Sequence, residues 1–167
     1  PDLLLLAALY HDIGKGYGRP HAQVGAEMIT RQAARMRLSV ADRSRAQTLV
    51  AEHTTLARLA ATMDPASDGA RDALLAAAHY DQLTISLLAV LAEADAQSTG
   101  PGVWTPRVKQ AQKLIVARAL EALKPRVLDR PAVHVPLSSE GVALKVDWED
   151  QEVSVSWCGT SQGELKR

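Results

Sequence analysis

The sequence predicts a mainly α-helical protein, a bundle that gives way to a small β-rich tail at its C-terminal end. Three observations carry that prediction. Ala and Leu dominate the 47% of residues that are apolar, while aromatics are 4% and Phe is absent; this bias suits tightly packed helices over a β-sandwich. Apolar residues recur at helical spacing from Leu3 to about Lys124. After Pro125 the pattern switches to strict alternation, as in Val153, Val155 and Trp157, the period of a strand with one covered face. At 167 residues the chain is long enough for one domain with a full core and a small appendage.

Residues 2–14 read as the first helix, ended by Gly14, Gly16 and Gly18. Its stretch Leu3–Leu9 is apolar all round, which places it inside a core. The stretch is too short to span a bilayer, which takes about 20 apolar residues. It carries neither a basic leader nor a small-residue cleavage site. The chain enters this helix without a cap or a starting Met, as expected of a piece from inside a larger protein.

A second helix follows Pro20, with Val24, Met28 and Ile29 inward and Arg31, Arg35 and Arg37 solvated. Ser39 with Asp42 forms a capping-box-like start for a third helix, in which Leu49, Val50, Leu56 and Leu59 share one side. Pro65, Ser67, Asp68 and Gly69 mark a loop. Helices over 70–79 and 82–97 come next, the latter lined by Leu83, Leu87, Leu88 and Leu91. Ser98–Gly102 breaks the pattern. Thr105 then caps a long helix with Pro106 at its first position, running to about Lys124. Beyond Pro125, residues 132–137, 142–148 and 152–157 read as strands, with Glu149–Gln151 as a hairpin turn. Residues 1–124 are thus expected to be all-helical and 125–167 a β-rich tail, with no internal repeat or low-complexity tract.

Nineteen basic and nineteen acidic residues give a formal net charge of zero. A nucleic-acid binder carries a basic excess to neutralise phosphates, so nucleic acid is excluded as a partner, and no segment calls for a membrane. The single Cys158 forbids an internal disulfide and suits a reducing cytoplasm.

Scattered along the helices stands a set of metal-ligating types: His11 and Asp12, His21, His53 and Asp95. Imidazole and carboxylate without thiolate suit Mn, Mg, Fe or Zn. Each lies beside apolar helix positions, where a buried polar group must be paired or metal-bound. A His-Asp pair alone is a weak signal, more often explained by a surface pair at a helix end where His complements the dipole. His53 alone reads as an ordinary helix histidine. Asp95 in a mostly apolar helix is harder to explain blandly, because an unpaired buried carboxylate is costly. Glu52 and Glu93 adjoin these candidates but point elsewhere, since helix neighbours diverge by about 100°. His79 and His134 are expected at the surface, and Trp104 as a packing anchor under the loop after Asp95.

The stretch LLLLAALYHDIGKGYGRPHAQVGAE, followed by His53 in LVAEHTTL and Asp95 in LLAVLAEADAQSTGPGVW, resembles the HD superfamily of metal-dependent phosphohydrolases. Within it, the chain looks most like the HD domain of the bifunctional PII uridylyltransferase/uridylyl-removing enzymes, over Leu3 to about Leu120. The resemblance implies that His11, Asp12, His21, His53 and Asp95 bind a divalent metal. It further implies that a water activated there attacks the phosphorus of a nucleotidyl–tyrosine phosphodiester on the PII nitrogen-regulatory signal protein, releasing UMP or AMP. Asp12 and Lys15 are the expected catalytic residues. Asp12 would bridge metals or hold the water, and Lys15 would neutralise phosphoryl charge or, equally, simply cap a helix end.

The match departs from the family in three places. A further His usually comes from a helix preceding Leu3. Pro20 stands where relatives have Asp. The tail does not read as a complete ligand-binding ACT module. No transferase constellation, a Gly-Ser loop with paired carboxylates, is present, so that chemistry belongs to the remaining domains of a full-length multifunctional enzyme. Two alternatives stay open: hydrolysis of free nucleotides or (p)ppGpp on the same fold, and a non-catalytic regulatory module.

Overall fold

The computed structural model of the chain describes residues 2–124 and, by backbone alone, three segments beyond them. The chain divides into two units, Pro1–Lys124 and Pro125–Arg167. Among the described residues the first holds seven helices: α1 (Asp2–Tyr10), α2 (His21–Arg35), α3 (Val40–Ala51), α4 (Thr55–Thr62), α5 (Asp68–Ala77), α6 (Gln82–Thr99) and α7 (Pro106–Ala122). The architecture is mainly helical.

Most helix starts follow from side chains that satisfy the free amides of a first turn. The Ser39 hydroxyl accepts from the Asp42 amide at 3.1 Å and donates to the Asp42 carboxylate at 2.8 Å. Ser67 accepts from Ala70 at 3.2 Å and Thr105 from Val108 at 3.3 Å. Asp81, unremarked in the sequence, opens α6 by accepting from Leu83 and Thr84 at 2.8 and 3.3 Å. α2 and α4 differ: Pro20 and Thr54 precede them with no side-chain cap.

Three sequence expectations are corrected. The first helix ends at Tyr10, not residue 14, and turns follow. The cause is the close approach at Gly14, where an added Cβ would fall 2.1 Å from the His21 carbonyl oxygen; residues that must meet α2 there cannot continue α1. The same helix is not enclosed. Ala7 is fully buried, but Leu5 and Leu9 remain 68% and 72% exposed, because α1 lies chiefly on α3, with α2 and α6 at its sides. The predicted third helix is two helices, broken at Glu52–Thr54. There the Thr55 hydroxyl and amide bond the Glu52 carboxylate and carbonyl at 2.5 and 2.9 Å, a local pairing that competes with continued helix. Leu83 also faces solvent (46% exposed) in the first turn of α6.

The core draws on all seven helices, from Ala7 of α1 and Ile29 of α2 to Ala119 of α7. Leu49, Leu59, Leu74, Ile85 and Ile115 are each 0% exposed, and a fully buried side chain of this size contributes about 1.5–3 kcal/mol. α2 packs on α3, and α7 on α4, α5 and α6. Among the described residues, no single helix is long and apolar enough to cross a membrane. Trp104 is partly buried and His79 exposed.

In the second unit the described backbone forms β1 (Val135–Leu137), β2 (Val142–Glu149) and β3 (Glu152–Cys158), antiparallel in that order. The β2–β3 register runs from Ala143 opposite Cys158 to Glu149 opposite Glu152. Much of the tail read from sequence as β-rich, including His134 and the turn residues Asp150 and Gln151, lies outside the described residues.

Candidate metal centre

Four elements deliver the polar side chains to one place. His11 and Asp12 sit in the turn that leaves α1, and His21 is the first residue of α2. His53 occupies the α3–α4 break rather than a helix interior. Asp95 stands on α6, four residues after buried Leu91 and three after buried Ala92. The packing of α1 on α3 and α6 therefore brings together residues 84 positions apart in the chain, from His11 to Asp95.

One ligand atom each from Asp12, His21 and His53 lies within 4.8 Å of the other two. The His21 and His53 Nε2 atoms are 3.2 Å apart, and His21 Nε2 is 3.6 Å from Asp12 Oδ1. Two donors held about 2.0–2.2 Å from one cation at near-tetrahedral or octahedral angles stand roughly 3–3.5 Å apart. The His21–His53 spacing falls inside that range, and the His21–Asp12 spacing lies just above it. His11 completes the group from the side: its Nε2 is 3.4 Å from Asp12 Oδ2 and 3.5 Å from Asp95 Oδ1. All five residues predicted from the sequence are thus brought together. Asp12, His21 and His53 form the tight set, and His11 links them to Asp95.

The backbone fixes which nitrogens face the group. His53 Nδ1 donates to the Val50 carbonyl at 2.8 Å, and His11 Nδ1 donates to the Ala8 carbonyl at 2.7 Å. A carbonyl can only accept, so in each neutral ring Nδ1 carries the hydrogen and Nε2 presents a bare lone pair toward the centre. Burial lowers the His53 pKa below its ordinary value; the neighbouring His11 and His21 act in the same direction, against the Val50 carbonyl and Asp12. The ring, 4% exposed, is therefore held neutral, the form that ligates metal.

Asp12 responds differently. Burial alone would raise its carboxyl, but the Lys15 hydrogen bond and the Lys15 charge outweigh that and hold it below the usual carboxylate range. Lys15 pairs directly with Asp12 Oδ2 while remaining 64% exposed. Its ammonium is therefore both tethered beside the centre and open to an incoming anion.

Sequence reasoning missed the carbonyls of Ala8 and Val50, and it missed the close packing at Gly14 and Gly25. An added Cβ at Gly25 would meet the Tyr10 carbonyl oxygen at 2.8 Å and Val50 at 2.9 Å. The carbonyls had a readable signal, since each lies three residues before its histidine. The glycines had none without the packing of α2. Glu52 bonds Thr55 and Glu93 bonds Gln97, so neither carboxylate points at the centre.

A fold of this kind with His-Asp, His and Asp ligands converging between its helices defines a class, and the chain belongs to the HD domain family, whose model matches residues 1–99. Among individual proteins, the chain is similar to the bifunctional uridylyltransferase/uridylyl-removing enzyme of Corynebacterium glutamicum, at 59% identity over 159 residues, 92% of this chain and 23% of that protein. The enzymes of the same description from Mycobacterium tuberculosis and Streptomyces coelicolor are 40% and 42% identical over 105 residues, 63% of this chain and 13% and 12% of theirs. The chain thus spans a quarter or less of the length of these curated relatives. No solved structure matches it.

Proposed function

We propose that this chain is a metal-dependent phosphodiesterase that removes a nucleotidyl group, UMP or AMP, from the modified PII signal protein, as one part of a longer bifunctional enzyme. The observation that carries the reading is the convergence of Asp12, His21 and His53 ligand atoms within 4.8 Å, with His11 and Asp95 in contact beside them. The relatives are described as uridylyl-removing, which supports the reaction class.

The donor set suits a divalent ion such as Mn, Mg, Fe or Zn, held by His11, Asp12, His21, His53 and Asp95. When bound, such an ion supplies a water acidic enough to react near neutral pH and polarises a phosphoryl oxygen. The chain's own residues do the rest. His11 and His53, oriented by backbone carbonyls, present lone pairs without rearrangement. Asp12 turns one carboxylate oxygen toward His21 and the other toward Lys15, and so positions the attacking water. As the water oxygen bonds to phosphorus and the bond to the tyrosine oxygen breaks, Lys15 offsets charge on the phosphoryl oxygens. The products are a nucleoside monophosphate and the unmodified tyrosine.

Residues 1–124 form the hydrolase domain in this reading, and 125–167 a β-rich tail at the start of a regulatory region. The partners are the nucleotidylated PII protein and the remaining domains of the full-length cytoplasmic enzyme.

The test is nucleotide release from uridylylated and adenylylated PII protein by the full-length enzyme with Mn, followed chromatographically beside free nucleotides and ppGpp. Release from a modified PII form, lost by about a thousandfold or more in Asp12→Ala, supports the proposal. Turnover confined to free nucleotides or ppGpp, or an Asp12→Ala enzyme as active as wild type, overturns it.

A further inference from the structure

Between the centre and α2 runs the loop Lys15–Pro20, every residue of which is exposed. Ion pairs pin it at both ends. Lys15 pairs with Asp12, and the Arg19 guanidinium donates through two nitrogens to the two Glu27 carboxylate oxygens at 3.2 and 2.5 Å. At its middle stands Tyr17, 61% exposed. It is flanked by Gly16 and Gly18 at φ 90° and 68°, where a Cβ would meet no atom within 4 Å. The two glycines hold a backbone shape that other residues resist. Among the described residues, the Tyr17 hydroxyl forms no hydrogen bond.

An exposed aromatic is by itself ordinary. Three features set Tyr17 apart. The chain has no Phe, three tyrosines and three tryptophans, so aromatic faces are few. Tyr17 lies two positions from Lys15, which keeps their Cα atoms within about 7 Å. Arg19 is engaged by Glu27, and Lys15 is assigned to the phosphoryl oxygens, which leaves the ring as the loop's unassigned contact group.

We propose that Tyr17 is a specificity residue that stacks on the nucleobase of the nucleotidyl group while the phosphodiester lies over the centre at Lys15. The inference rests on the phosphodiesterase reading above and adds a base-recognition contact to it. Stacking on a rigid aromatic tolerates either uracil or adenine, because every base has a π-face.

Binding separates base from phosphate. Isothermal titration of this chain, loaded with Mn, measures affinity for UMP and for ribose 5-phosphate, which lacks the base. Tyr17→Ala weakens UMP about tenfold and changes ribose 5-phosphate by less than about twofold, and Tyr17→Phe restores UMP binding. The melting temperatures stay together, since the ring covers no core. If Tyr17→Ala leaves UMP unchanged, or weakens both ligands alike, Tyr17 does not read the base. In that case wild-type binding of both ligands leaves the phosphodiesterase reading standing. Wild type that binds neither ligand removes both ideas.

Discussion

Two helix starts in this molecule are built on opposite terms. α6 begins at Asp81, whose carboxylate accepts the Leu83 and Thr84 amides and is gripped by Arg45 at 2.6 Å from α3. α2 begins after Pro20 with no side-chain cap at all, and its first residue is His21. At α6 every local group is spent on holding the helix. At α2 the residue that would ordinarily sit in a stabilised first turn is turned instead toward His53 and Asp12. The contrast teaches that the candidate site is assembled at the expense of local order: an uncapped helix, a glycine pressed on a carbonyl, and a helix break at His53 all occur where these side chains meet.

Substitutions at the two ends should therefore separate binding from stability. The largest effect is expected at the site itself. His53→Gln keeps a polar side chain of similar reach but loses the Val50-oriented Nε2 lone pair. Mn affinity by titration calorimetry should fall at least about 100-fold, since loss of outer-shell partners alone costs 10–100-fold; an unchanged affinity would remove His53 from the ligand set.

Next comes Gly14→Ala, whose methyl would sit 2.1 Å from the His21 carbonyl oxygen. Overpacking of this kind costs about 1–3 kcal/mol. Because the clash is with His21, urea unfolding should show that loss together with weakened Mn binding. A loss of stability with full metal affinity would show that the loop and His21 are not coupled.

Asp81→Ala tests the opposite end. Loss of a cap costs about 1–2 kcal/mol, with metal affinity unaltered. The pH dependence has a definite sign. Burial raises the Asp81 carboxyl, but Arg45 and the two amides outweigh it and hold it below its ordinary 3.8. The folded protein therefore takes up this proton less readily than the unfolded chain. The stabilisation is complete above the ordinary value and vanishes as pH falls through the lowered one. Urea unfolding of wild type and Asp81→Ala should differ at neutral pH and converge in acid; a constant gap would exclude the carboxylate as its source.

The smallest structural effect belongs to Lys15→Met. An exposed pair contributes little to folding, so the melting temperature should move by no more than about one degree. Release of nucleotide should nevertheless drop. If activity is retained, Lys15 is only a helix-end cation.

The contrast also explains what could be read from the sequence. Caps that use Ser or Thr beside a new apolar period, as at Ser39 and Thr105, were legible because the signal is local. The five candidate residues stood out in the sequence by their chemical types and order. The break at Glu52–Thr54 was not, since Leu56 and Leu59 keep the apolar period across it and only the Glu52–Thr55 pairing interrupts the helix. The exposure of Leu5 and Leu9 was equally hidden: a run apolar on all sides says nothing of which face meets α3. Gly14 looked like a helix terminator, whereas its importance lies in how closely the chain passes His21, a distance that only the assembled bundle defines.

The most direct test is anomalous scattering at the manganese edge from crystals of this chain grown with Mn. One strong peak is expected within ligand distance of Asp12, His21 and His53, with His11 and Asp95 facing it. A map with no peak there, and with His21 still bonded to His53, would mean that these side chains are merely packed together and that the centre holds no cation.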